Sequence, residues 1–166
     1  MVFWIDEAGI SVDCMIRVLT QFSGLPHRTQ WVRTLNGIDW INDSKGTNIG
    51  ATSSAISGIG EAMQGKIVLI AGGQGKGADF ADLRTPVVSH VRALVLLGED
   101  ADKIERALTS VVDVHRASSL EHAVRIAYQH AKSGDVVMLS PACASLDMFR
   151  DYNHRGEVFT SAVIAL

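Results

Sequence analysis

Near-continuous apolar runs constrain this chain most: Ile67-Val68-Leu69-Ile70-Ala71, Val91 to Leu97, and Val136-Val137-Met138-Leu139. A strand with one wet face alternates apolar and polar side chains. Runs of this kind belong instead to strands covered on both faces, as in parallel sheets flanked by helices. A shorter run, Val111 to His115, reads as a further strand. Helix-period patterns lie between the strands, at about 48 to 58, 80 to 88, 100 to 109 and 118 to 132, each opened or closed by Ser, Asp, Asn or Gly. Strand and helix in alternation predict an α/β fold, a Rossmann-like, doubly wound, mostly parallel sheet with right-handed crossovers. Ligands gather at the carboxyl ends of the strands in such sheets, so the loops after Ile41, Ala71, Leu97 and Leu139 are where a site belongs.

The N-terminal part reads differently. Two extended runs flank Asn36-Gly37, the strongest short-range signal for a type I′ hairpin, and predict an antiparallel hairpin with strands at about 29 to 34 and 38 to 42. Before it, Ile10, Cys14, Ile16, Val18 and Leu19 follow a turn at Gly9 and suit a short helix starting near Ser11. Gly24-Leu25-Pro26 breaks that helix, which divides the chain into an appendage over 1–24 and a domain over 25–166.

Composition excludes several classes. With 166 residues, 47% of them hydrophobic, there is material for one domain with a core. A formal charge of -3 disfavours nucleic-acid binding through a general basic surface. No apolar run approaches the ~20 residues of a membrane span, and the start lacks a secretory signal, so a cytoplasmic location is expected. Cys14 and Cys143 have no CxxC spacing and read as small buried residues, and no metal is expected. His90, His115, His122, His130 and His154 show no metal spacing and read as surface or helix-face residues, while Trp31 and Trp40 read as core.

Three loops carry more chemistry than packing requires. After Ile41 comes Asn42-Asp43-Ser44-Lys45-Gly46-Thr47-Asn48, which delivers a carboxylate, an ammonium and two hydroxyls to a helix start. After Ala71 comes Gly72-Gly73-Gln74-Gly75-Lys76-Gly77-Ala78-Asp79, whose glycines would let backbone N–H groups approach an oxyanion beside the Lys76 charge. It is not a Walker A loop, because Gly77 replaces the required Ser or Thr and Ile70 the first glycine. Taken alone, it reads as a tight βα turn with a solvated lysine. After Leu139 comes Ser140-Pro141-Ala142-Cys143-Ala144-Ser145-Leu146-Asp147, where Ser145 is expected in the first turn of the next helix. No GxSxG elbow surrounds Ser140 or Ser145, so serine hydrolysis is excluded and an ordinary N-cap stays open for each. Arg28, at the junction after Gly24-Leu25-Pro26, could reach a phosphate when domains close, or be a solvated arginine.

In this order, Gly24-Leu25-Pro26-His27-Arg28, Trp40 to Asn48, Gly72 to Phe80 and Leu139 to Phe149 closely resemble the C-terminal part of the D-glutamate-adding branch of the Mur ligase family. The match runs from about residue 20 to the end, and Asp43-Ser44-Lys45 is what separates this branch from its sisters. The resemblance implies an ATP-dependent C–N ligase of peptidoglycan precursor synthesis that joins D-glutamate to UDP-N-acetylmuramoyl-L-alanine through an acyl phosphate. Position by position it implies that Arg28, Asp43 and Lys45 touch the nucleotide, Arg28 near the terminal phosphate and Asp43 near the ribose. Thr47, Lys76, Ser145, Leu146 and Tyr152 would form the D-glutamate pocket, with Tyr152 standing where the family has phenylalanine. Residues 1–24 would be the tail of the central ATPase domain. The phosphate loop, the Mg2+ ligands and the catalytic residues proper would lie upstream, so the chain by itself is expected to be inactive. The alternatives are a non-catalytic α/β module that binds a small anion, and another ligase branch such as a folate polyglutamate synthase, against which Asp43-Ser44-Lys45 argues.

Overall fold

A computed structural model describes residues 11–21 and 24–166. Its six-stranded sheet comprises β1 (Gln30–Leu35), β2 (Ile38–Asn42), β3 (Ile67–Gly72), β4 (Val91–Leu97), β5 (Asp113–Arg116) and β6 (Val136–Leu139) in the spatial order β1-β2-β6-β3-β4-β5. β1 pairs antiparallel with β2, and every other pairing is parallel. The helices are α1 (Val12–Gln21), α2 (Ile49–Ala62), α3 (Arg84–His90), α4 (Ala101–Leu108), α5 (Leu120–His130) and α6 (Tyr152–Ile164). None among the described residues is long and apolar enough to cross a membrane.

The apolar runs behave as expected: all residues of β3 and β6 are buried. Alternate side chains feed two cores. Ile67, Leu69, Leu94, Leu96 and Met138 pack under α2, α3 and α4, while Val68, Ile70, Val95, Val137 and Leu139 pack under α5 and α6. This alternation is the pleat with a period of two, covered on both sides. The hairpin also forms as the sequence predicts, since Asn36 and Gly37 have φ of 53° and 76°, the two positive values a type I′ turn needs. Trp40 is fully buried between Tyr128 and Phe159.

Three expectations are corrected. Trp31 is 60% exposed rather than core. A bulge at Val32 breaks the register between Trp31 and Arg33, so Trp31 lies opposite Ile41 on one face while α6 packs on β1 from the other. The pattern at 80 to 88 resolves into a 3₁₀ turn, Phe80–Leu83, followed by α3, because Pro86 suits only the first turn of a new helix. The helix after β6 starts at Tyr152, capped by the Asp151 side chain on the N–H of His154. Ser145 therefore sits in a turn, where its carbonyl accepts from the N–H groups of Met148 and Phe149. The first helix does begin beside Ser11, whose Oγ accepts from the Cys14 N–H. Cys14 is half-buried and Cys143 buried, while Gly9 and Ile10 lie outside the described residues.

The amino ends of three parallel strands are clamped by Asp135, which is 2% exposed. Its carboxylate accepts from the N–H groups of Lys66 and Lys132 and from two guanidinium nitrogens of Arg92, at 2.6 to 3.0 Å. Burial pushes its pKa up, but the Arg92 bonds and the two amides outweigh this and hold it below the usual value. A carboxyl whose folded pKa is depressed stabilises the fold above the unfolded pKa, and that contribution disappears as pH falls through the folded value. Asp135→Asn should therefore cost about 2 kcal/mol in urea unfolding at pH 7, with the difference from wild type shrinking below about pH 4.

Candidate functional site

The loops that follow β2, β3 and β6 meet at the carboxyl rim, tied by backbone bonds. The Asp43 N–H donates to Leu139 O at 2.8 Å, Ala142 N–H to Gly46 O at 2.9 Å, and Gly72 N–H to Pro141 O at 2.9 Å. Gln74 and Ala144 exchange both their backbone bonds, an isolated bridge that sets Lys76 two residues from one partner and Ser145 next to the other. These approaches leave no room for side chains at the crossing points. A Cβ on Gly73 would run into the Ala144 carbonyl, and one on Gly46 would lie 2.6 Å from Asp43 Oδ2.

Beneath the backbone is a knot of buried polar side chains. Asn42 Nδ2 donates to Gly156 O and Thr160 Oγ1, while its Oδ1 accepts from the Ser44 N–H. Ser140 Oγ donates to Asp43 Oδ2 at 2.7 Å and lies 3.0 Å from Thr52 Oγ1, which accepts from the Ala142 N–H. Arg155, 2% exposed, donates from Nε to Ser44 Oγ, from Nη2 to Ser44 O and from Nη1 to Cys143 O, at 2.9 to 3.1 Å. Burial lowers its pKa to about 10, so the guanidinium is still charged at neutral pH. Asp43 is shifted the other way: burial raises its pKa despite the bonds from Ser140 and from the Thr29 N–H.

Arg28, Asp43 and Lys45 line one open hollow of about 300 Å³, together with Thr29, Gly46, Ala51, Ser54 and Ala55. The Lys45 N–H donates to His27 O, which fixes the junction before β1 against the loop after β2. Lys45 Nζ sits 3.8 Å from the centre of the Tyr152 ring, a cation–π contact that connects the hollow to the start of α6. Of the other expected residues, Thr47 and Tyr152 are half-buried, Ser145 is 3% exposed, and Leu146 is 64% exposed. Lys76 is exposed, with no side-chain hydrogen bond or ion pair among the described residues. It has φ of 52° beside Gly77 at 77°, and the Ala78 N–H closes on Gly75 O. A lysine in this tight turn costs about 1 kcal/mol relative to glycine, so local stability does not explain it.

Several site-building residues carry no signal in the sequence. Asp100, at the start of α4, has a pKa lowered by Lys103 and by the Gly75 N–H, whose bond of 2.7 Å anchors the glycine loop. Asp147 accepts from the Glu99 N–H with one oxygen, and the other is buried without a partner. In sequence Arg155 is indistinguishable from a surface helix arginine, because its partners lie 12 and 111 residues away. Replacing Arg155 by alanine strands two carbonyls and a hydroxyl, and should cost about 3 kcal/mol in urea unfolding. Arg155→Lys should recover less than half of this, since a lysine cannot form the fork.

Comparison with known proteins agrees with this architecture. A family model described as Mur ligase, glutamate ligase domain matches residues 27–143. The UDP-N-acetylmuramoylalanine--D-glutamate ligase of Legionella pneumophila (strain Paris) is 70% identical over 97% of this chain, and that of Coxiella burnetii (strain RSA 331 / Henzerling II) is 52% identical over 96%. The chain spans 36% of the length of each. Among solved structures, the MurF ligase of Thermotoga maritima in complex with ADP covers 99% of the chain at a TM-score of 0.67 and 16% identity, with the chain spanning 37% of it. The bifunctional folylpolyglutamate synthase/dihydrofolate synthase of Yersinia pestis covers 95% at 0.65 and 23% identity, with 35% of its own length spanned. At these identities the two structures bear on the fold alone. The extent of the family match, with the close relatives beside it, means that the chain belongs to the Mur ligase family as its C-terminal, glutamate ligase domain.

Proposed function

We propose that this chain is the part of an ATP-dependent, cytoplasmic D-glutamate ligase that binds the amino acid and closes over the nucleotide. The complete enzyme would transfer the γ-phosphoryl group of ATP to the carboxylate of UDP-N-acetylmuramoyl-L-alanine. The amine of D-glutamate would then attack that acyl phosphate, forming the amide and releasing phosphate. Residues 1–24 would belong to the preceding ATPase domain. The observation that carries this reading is the union of three loops at one rim, with Arg28, Asp43 and Lys45 around one hollow and Lys45 against Tyr152.

In this reading Arg28 and Lys45 meet phosphate oxygens, and Asp43, aligned by Ser140, accepts from a ribose hydroxyl. Lys76 pairs with a carboxylate of D-glutamate, Thr47 and Ser145 supply hydroxyl donors, and Leu146 and Tyr152 close over the carbon chain. Each charge-assisted contact contributes about 1.5–3 kcal/mol, which serves selectivity and aims the amine. The chain holds no GxxxxGK[ST] segment. Mg2+ accompanying ATP would be held, with the phosphate loop, by the preceding part of the complete enzyme.

In that complete enzyme, Lys76→Ala should raise KM for D-glutamate by about 10- to 100-fold and KM for ATP by less than about 3-fold. Equal effects on both would refute the assignment. The 166-residue chain mixed with ATP, D-glutamate and UDP-N-acetylmuramoyl-L-alanine should release no phosphate above background. Turnover by the chain alone would overturn the division of labour.

A further inference from the structure

The rim opposite the ligand loops holds a second constellation. β5 is an edge strand in register with β4, Ala93 opposite Asp113 and Val95 opposite His115. Ala93 and Val95 face the core under α5, so Asp113 and His115, two residues apart, point to that same face. α5 runs back against the strands and ends at His130, in its last turn. The fold thereby brings one carboxylate and two imidazoles together from two elements, with potential ligand atoms all within 4.8 Å of one another.

Two features of the group call for a cation. His115 Nε2 is shut off from solvent and lies 3.1 Å from Asp113 Oδ2, yet makes no hydrogen bond of acceptable direction. The His130 ring lies stacked beside that of His115, with centres 3.8 Å apart and planes at 29°, so a second imidazole is at hand. Moreover, the carbonyl end of an eleven-residue helix favours positive charge. We propose that Asp113, His115 and His130 form an accessory site for a divalent transition metal of the Zn2+ class. Tetrahedral Zn2+ with bonds near 2.0–2.1 Å sets its ligands about 3.4 Å apart, against 3.1 Å between His115 Nε2 and Asp113 Oδ2 and at most 4.8 Å across the group. Binding turns one imidazole about its Cβ–Cγ bond, a broad torsion, so that the two lone pairs converge. Asp113 is exposed, which leaves the fourth position to water. Two imidazoles select Zn2+, Co2+, Ni2+ or Cu2+ over Mg2+ and Ca2+, so the site is distinct in chemistry as well as place from anything that holds Mg-ATP.

Calorimetric titration of the 166-residue chain with ZnCl2 tests this, with excess Mg2+ present throughout. One ion should bind per chain, Tm should rise with Zn2+, and Co2+ should give the intense visible absorption of a four-coordinate ion. His115→Ala and His130→Ala should each weaken binding at least about tenfold. Asp113→Asn, at an exposed position, should leave the metal-free Tm unchanged and weaken binding less than the histidine variants. Absence of Zn2+ binding by wild type, or affinities within about 2-fold of wild type in Asp113→Asn and the double histidine variant, would overturn the proposal.

Discussion

Backbone polar groups that leave the end of a buried strand must find partners at once, and at this rim Asn42, Asp43, Ser44 and Ser140 are all buried. That requirement governs the site. The strands β2, β3 and β6 stop side by side, and their freed N–H and C=O groups pair with one another, with the side chains of Asn42 and Thr52, and with the Arg155 guanidinium. Loops that would otherwise be mobile are thereby held as one surface. Arg28 and Lys76 are exposed on it, and Lys45, half-buried, stands over the Tyr152 ring.

In the segment from Asn42 to Lys45, a few residues both support the rim and line the hollow. Asn42, Asp43 and Ser44 are all buried, and Asn42 and Ser44 are wholly occupied with α6 and the adjacent loops. Only Asp43 and Lys45 reach the hollow. A lysine stacked on Tyr152 is also pre-positioned, because the ring restricts a long side chain whose ordering would otherwise cost about 2 kcal/mol. The two rims differ in kind: the carboxyl ends carry hydroxyls and lysines among their carboxylates, and the amino ends carry Asp135 clamped by Arg92 and the two imidazoles beside Asp113.

Much of the architecture is legible in the sequence. Unbroken apolar runs marked β3, β4 and β6, and Asn36-Gly37 marked the hairpin, because those signals act within a few residues. The local readings that failed did so where distant contacts outweighed local preference. Trp31 looks like a core residue, yet a single bulge turns it to the face that α6 does not cover. His90, His115, His122, His130 and His154 have no ligand spacing along the chain, and only the packing of α5 on the sheet sets His130 against His115.

The sequence by itself determined the alternation of strand and helix, the hairpin, the three polar loops after β2, β3 and β6, and the family to which their motifs belong. All of these are written in periodicity, turn chemistry or contiguous residue types. Tertiary structure alone decided which loops touch, that Arg155 and Asp147 lie beneath them, and that Asp113, His115 and His130 converge. These outcomes depend on strand order and register: β6, made last, inserts between β2 and β3, and no pattern along the chain encodes that neighbourhood.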